Sequence, residues 1–145
     1  MSREYPLRPI PGVGVIAFKD NTVLLVQRGK EPRRGEWSIP GGAVEVGETV
    51  REAARREFAE ECGGDIELCD LVDVVDIFGR DETGKIRYHY IVADYWAEWR
   101  GGELRASSDV MDARWVSPDK LDEYSLPSYT RAVIEKSVQM RNQTR

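Results

Sequence analysis

The chain has 145 residues, 21 basic and 26 acidic, giving a formal net charge of −5, with 41% hydrophobic and 32% charged residues. That length fits one domain over residues 1–145, and the composition suits a folded, soluble chain rather than a disordered or disulfide-stapled one. The acidic balance disfavours nucleic-acid binding, which needs a basic field. One histidine (His89) and two cysteines (Cys62 and Cys69) exclude a His-rich or Cys-rich zinc site.

In chain order, Pro6, Pro9 and Pro11 make an extended lead-in that cannot be helical. Gly12 to Phe18 and Val23 to Gln27 are apolar and β-branched, and Lys19-Asp20-Asn21 between them predicts a hairpin. Arg28 to Gly35 is a basic loop punctuated by Gly and Pro. Trp37 to Ile39 and Ala43 to Val46 read as short strands separated by Pro40-Gly41-Gly42. Glu48 to about Cys62 is the clearest helix, free of Gly and Pro and stopped by Gly63-Gly64. Ile66 to Phe78 and Ile86 to Trp99 form a second, longer hairpin across Gly79 to Gly84. A strand over Asp112 to Val116, a helical turn over Pro118 to Leu121 and a helix over Ser128 to Met140 close the chain. The fold class is α+β, a mixed sheet with helices packed on it.

On a wheel of about 100° per residue with Glu57 at zero, Val50, Ala53 and Ala54 fall near +20°, −40° and +60°, with Phe58 just beyond. That arc is the face expected to pack on the sheet. Glu57, Glu60 and Glu61 continue it, while Arg51, Glu52 and Arg55 lie opposite. Three inward carboxylates repel one another and are costly to desolvate, and a divalent cation is the best compensation. An all-oxygen cluster without His or Cys selects Mg²⁺ or Mn²⁺ over zinc. An ordinary charged helix whose last turn passes the sheet edge produces the same pattern, so the wheel leaves both open.

Gly42, then Glu48 after five residues, then Arg56-Glu57-Phe58-Ala59-Glu60-Glu61-Cys62-Gly63 after seven, resembles the Nudix box of the Nudix hydrolases. Ordinary residue frequencies give roughly 10⁻⁹ per window for such a match, which removes coincidence as a competitor. Gly64 departs from the pattern, where the family carries an aliphatic residue. The resemblance implies a Nudix α/β/α sandwich with a mixed sheet. It also implies hydrolysis of the diphosphate in a nucleoside diphosphate derivative, with Mg²⁺ or Mn²⁺ as cofactor. Carried over to this chain, Glu57, Glu60, Glu61 and the Gly41 carbonyl are the metal ligands, and Glu57 or Glu61 is the base. Glu48 and Arg56 hold the loop against the helix and orient Glu57.

Beyond the box, Arg28 is a candidate phosphate contact, with Gly42 beside it as a substrate-binding position. Glu98 and Glu103 are candidate further ligands, although a solvated strand-end carboxylate is the plainer reading of each. Tyr88 and Tyr90 alternate with His89, so the two tyrosines share one strand face, suited to stacking on a base or to core packing. The run of Arg-Gly loop, Trp37 to Gly42, Asp73 to Asp76 and Arg87 to Tyr90 is most similar to the ADP-ribose pyrophosphatase-like branch. That implies cleavage of ADP-ribose to AMP and ribose 5-phosphate. The alternatives are nucleoside triphosphate pyrophosphohydrolysis, including oxidised-nucleotide sanitation, and a noncatalytic nucleotide sensor. The expected partner is a nucleotide-type small molecule, with a homodimer as a family-level expectation. Free thiols suit the cytoplasm, and no apolar run approaches the ~18 residues of a membrane span.

Overall fold

β1 (Ile10–Lys19) runs through the middle of the sheet and places the site at its N-terminal half. The structure, a computed structural model, describes residues 3–31, 33–107 and 109–144. β1 turns at Asp20, which sits at φ 54, into β2 (Thr22–Arg28), with Phe18 opposite Val23 and Lys19 opposite Thr22. Along its other edge β1 pairs in parallel with β6 (Ile86–Gly101), from Ile10 opposite Tyr90 to Phe18 opposite Glu98. β6 is the second arm of the long hairpin with β5 (Asp65–Arg80). β2 is flanked by β3 (Trp37–Ser38) and by β7 (Val110–Val116).

Period-two alternation then sorts side chains into two layers. Val13, Val15 and Ala17 of β1, with Tyr95 and Ala97 of β6, bury against Ala53, Ala54, Phe58 and Cys62 of α1 (Val50–Cys62). Ile16, Phe18 and Trp96 face the other way, onto Val133 and Ile134 of α2 (Ser128–Thr144) and Leu121 of the 3₁₀ turn Pro118–Tyr124. The chain is therefore an α/β/α sandwich around a mixed seven-stranded sheet. No described helix is long and apolar enough to cross a membrane.

Two boundaries differ from the sequence reading in ways that matter for the site. The strand expected over Ala43 to Val46 is instead β4 (Gly41–Ala43), and Val46 is fully exposed. Gly14 pairs with Gly41 and Val13 with Gly42. A Cβ on Gly41 would overlap the Val13 carbonyl, so close backbone approach, not β-propensity, makes this strand. The helix begins at Val50 rather than Glu48, because Thr49 caps it. The Thr49 side chain accepts from the Glu52 amide, and the Glu52 side chain accepts from the Thr49 amide, a reciprocal capping box. Glu48 is left on the connecting loop. Gly63, at φ 68, ends the helix and donates its amide to the Ala59 carbonyl.

Candidate active site

The loop from β4 into α1 is fastened by one guanidinium. Arg56 donates from Nε to Glu48 Oε2 at 2.6 Å and from Nη2 to Glu48 Oε1 at 2.9 Å, a two-pronged pair. Nη2 also reaches the Ala43 carbonyl at 3.0 Å, on the end of β4. Nη1 donates to Glu57 Oε1 at 2.9 Å and to Glu60 Oε2 at 3.3 Å. The Arg56 hydrogen bonds, helped by the Glu45 amide, hold the Glu48 carboxyl down at about 2, so it stays ionised at any working pH.

Glu57 and Glu61, one helical turn apart, are both drawn out of water. Burial raises the Glu57 carboxyl above its usual range, against the opposing pull of Arg56. Glu61 is pushed up to about 8, first by burial and then by the negative charges of Glu57 and Asp109, with the Gly41 amide and Arg28 opposing. Gly42 sits directly on the Glu57 carboxylate, so that any Cβ there would occupy the carboxylate's space. Two desolvated carboxylates one turn apart, with Arg56 on Glu57 and Arg28 acting on Glu61, form an all-oxygen donor set that fits a hard divalent cation. Among the described residues, no three His, Cys, Asp or Glu side chains gather as a ready-made metal cluster.

The third carboxylate departs from the inward stripe. The Glu60 side chain is 60% exposed at the rim, and Val50 is also exposed. Arg51, expected to face solvent, instead donates to the Cys69 carbonyl at 2.8 Å and the Leu68 carbonyl at 3.2 Å, and lies over the Tyr95 ring. The buried arc is centred nearer Phe58 and Cys62 than Glu57, which brings Arg51 in and turns Glu60 out.

A cleft of about 690 Å³ runs from these carboxylates to α2. Arg28, Gly41, Gly42, Glu57, Glu60 and Glu61 all line it. Arg28 ends β2, opposite Val110, where its charge acts on Glu61. Tyr88 and Tyr90 line the cleft, whereas His89 points to the other face and packs on Phe78 at 4.4 Å. Trp37 packs edge-on to Tyr124 at 5.1 Å. Cys62 is buried with its thiol pushed up to about 12, which leaves it no nucleophilic thiolate.

Neither ligand candidate from outside the box reaches the cleft. Glu98 is taken by Arg141, which donates Nε and Nη2 to its two oxygens at 2.7 and 2.9 Å on the far end of β6. Glu103 is exposed and does not line the cleft. The carboxylate that does face Glu61 is Asp109, just before β7 and paired with Lys30 at 2.6 Å. Nothing in the local sequence marks Asp109, because its position depends on β7 pairing with β2. Asp94, buried on β6, is a second carboxyl lining the cleft that the sequence did not single out.

The NUDIX domain family model matches residues 8–136. The chain belongs to the Nudix family. Within it, the chain is 37% identical over 115 residues to an ADP-ribose pyrophosphatase of Methanocaldococcus jannaschii, covering 79% of this chain and 66% of that protein. It is 32% identical over 138 residues to an 8-oxo-dGDP phosphatase of Homo sapiens, covering 92% of this chain but 40% of the human one. The Nudix chain thus spans under two thirds of the length of these curated relatives. The crystal structure of a MutT NUDIX hydrolase from Burkholderia pseudomallei superposes with a TM-score of 0.75 at 32% identity, covering 89% of this chain and 98% of that one. A Nudix assignment accounts for the Gly42-to-Gly63 spacing: the strand glycines let Glu57 lie against the backbone, and Glu48 anchors the arginine beside it.

Proposed function

We propose that this Nudix domain, residues 1–145, is a metal-dependent pyrophosphohydrolase that cleaves ADP-ribose to AMP and ribose 5-phosphate. The observation that carries the reading is the pair Glu57 and Glu61, desolvated side by side at the Gly41–Gly42 backbone with Glu48 occupying Arg56. The similarity to an ADP-ribose pyrophosphatase supports the substrate.

Glu57, Glu61 and the Gly41 carbonyl, with Glu60 at the rim, would hold Mg²⁺ or Mn²⁺. When bound, such an ion neutralises phosphate charge and acidifies a water. The chain's own groups do the rest. Hydrolysis forms a bond from water oxygen to one phosphorus and breaks that phosphorus's bond to the bridging oxygen. The bridging oxygen leaves on the other phosphate. Glu61 or Glu57, side by side at the Gly41–Gly42 backbone, receives the proton lost by water. Arg56 donates to Glu57 and aims it, and Glu48 fixes Arg56. Arg28 supplies positive charge beside Glu61 for the diphosphate, and Gly42, on the same cleft, leaves its Cα bare for the Glu57 carboxylate. Free thiols at Cys62 and Cys69 support a reducing, cytoplasmic setting, and a homodimer is the expected assembly.

A second reading is hydrolysis of nucleoside triphosphates or oxidised nucleotides, favoured by the similarity to an 8-oxo-dGDP phosphatase. A screen of ADP-ribose, other nucleotide sugars, dinucleotides and nucleoside triphosphates with Mg²⁺ separates the two. The proposal requires ADP-ribose to be the best substrate by kcat/KM. Preference for triphosphates overturns it, and nucleotide binding with no turnover in any metal identifies a sensor.

A further inference from the structure

Asp94 is only 5% exposed, yet it lines the same cleft as Glu57 and Glu61. Among the described residues its carboxyl has no hydrogen-bond partner and no basic neighbour. The one charge acting on it is Asp73, directly opposite on β5, which repels it. Burial with no compensation raises it to about 7. A buried polar group without a partner is costly, and a ligand donor would relieve that cost.

Its surroundings define what that ligand is. Asp94 alternates with Tyr95 and so lies on the α2 face of the sheet, together with Trp96, Val92 and Tyr90. The β1 residues opposite Val92 and Asp94 are Gly12 and Gly14, and the Asp94 carboxyl covers the space a Gly14 side chain would need. Gly12 carries no side chain beside Val92, and Ile39 closes over Gly14 with the Asp94 carboxyl, so the strip along Val92 is apolar and ends at one carboxyl. Asp73 is paired with Lys136 and does not line the cleft, so a cation there would find one charged oxygen donor, Asp94, beside Val92 and Ile39. A planar ring bearing an N–H fits both features. Gly41, Gly14 and Asp94 occupy successive strands β4, β1 and β6, so the Asp94 backbone lies about 10 Å from Gly41, two strand spacings away, with its carboxyl reaching back over Gly14. That separation suits the far edge of a nucleobase whose diphosphate is at Glu57 and Glu61.

We propose that Asp94 selects the substrate's nucleobase by accepting a hydrogen bond from its exocyclic amino group. The inference rests on the pyrophosphohydrolase reading only for where the diphosphate sits, and it is tested by binding alone. Metal-free calorimetry would compare AMP with purine riboside 5′-monophosphate, and GMP with IMP, each pair differing by one amino group. The wild-type protein should bind the amino-bearing member of one pair about 10- to 100-fold more tightly. Asp94→Leu, which fills the space without an acceptor, should bring that ratio to about one while leaving the affinity of the amino-free member unchanged, which also reports a folded protein. Asp94→Asn keeps an acceptor oxygen and should retain most of the preference. Equal binding within both pairs by the wild type, or an undiminished ratio in Asp94→Leu, overturns the assignment. An intact ratio in a protein that turns over no nucleotide leaves Asp94 standing and defeats the hydrolase reading instead.

Discussion

Arg56 grips Glu48 through two hydrogen bonds, 2.6 Å from Nε and 2.9 Å from Nη2, tying a loop residue before the helix to the helix's second turn. The same guanidinium spends Nη1 on Glu57. Lysine has one compact ammonium and cannot hold both partners at these angles. Arg56→Lys should therefore lower kcat/KM for the preferred substrate by about 10- to 100-fold, with a matching loss of Mg²⁺ affinity. Steady-state kinetics across a Mg²⁺ titration would show it. An unchanged Mg²⁺ dependence would mean that Arg56 does not orient Glu57.

Gly42 is needed for space rather than for an unusual backbone angle. A methyl group at residue 42 would take the place of the Glu57 carboxylate. Gly42→Ala should displace Glu57, cost about 1–3 kcal/mol of stability by overpacking, and reduce activity at least tenfold. Thermal unfolding and turnover, measured on the same sample, check both parts. Gly47→Ala is the contrast: it is a left-handed glycine on the same loop with open space around it, so any cost should be backbone strain without loss of metal affinity.

Asp94 gives the fold a pH dependence of definite sign. Its folded value, about 7, lies above the ordinary aspartate value, and among the described residues Asp73 on β5 is the charged neighbour acting on it. The stability it confers is fully present below about pH 4 and is lost as pH rises to about 7, because unfolding releases its proton across that window. Asp94→Asn removes this loss. Urea unfolding at pH 4.5 and pH 7.5 should show the variant gaining on the wild type at the higher pH. A constant difference between the two proteins would contradict the assignment of a raised Asp94.

Glu98 separates structural from catalytic carboxylates. Its partner Arg141 is nearly buried, stacks over Phe18 at 4.6 Å and also holds the Asp20 carbonyl. Glu98→Ala leaves that cation unpaired and should cost about 2–3 kcal/mol. Turnover per folded molecule and the Mg²⁺ requirement should not change. A lost Mg²⁺ requirement would put Glu98 back at the site.

The layers and the box were legible because they are local. The hairpin at Asp20, the alternation of β1 and the glycine stop of α1 each follow from a few neighbouring residues. What the sequence left out depends on partners far along the chain. Arg51 turned inward because β5 offers it the Leu68 and Cys69 carbonyls, and Glu60 turned outward by the same rotation of the helix. Asp109 and Asp94 enter the cleft only through strand register, β7 on β2 and β6 on β1. α1 starts two residues later than the sequence predicts, because Glu48 reads as a good first-turn residue while Thr49 with Glu52 makes the stronger cap.

The most direct measurement is cleavage of ADP-ribose in Mg²⁺ by the wild-type protein and by Glu61→Gln, with products separated and counted. AMP and ribose 5-phosphate in equal amounts, and a loss of about 10³-fold in the variant, are the predicted result. Tight nucleotide binding without cleavage in any divalent metal, or full turnover by Glu61→Gln, would contradict the account.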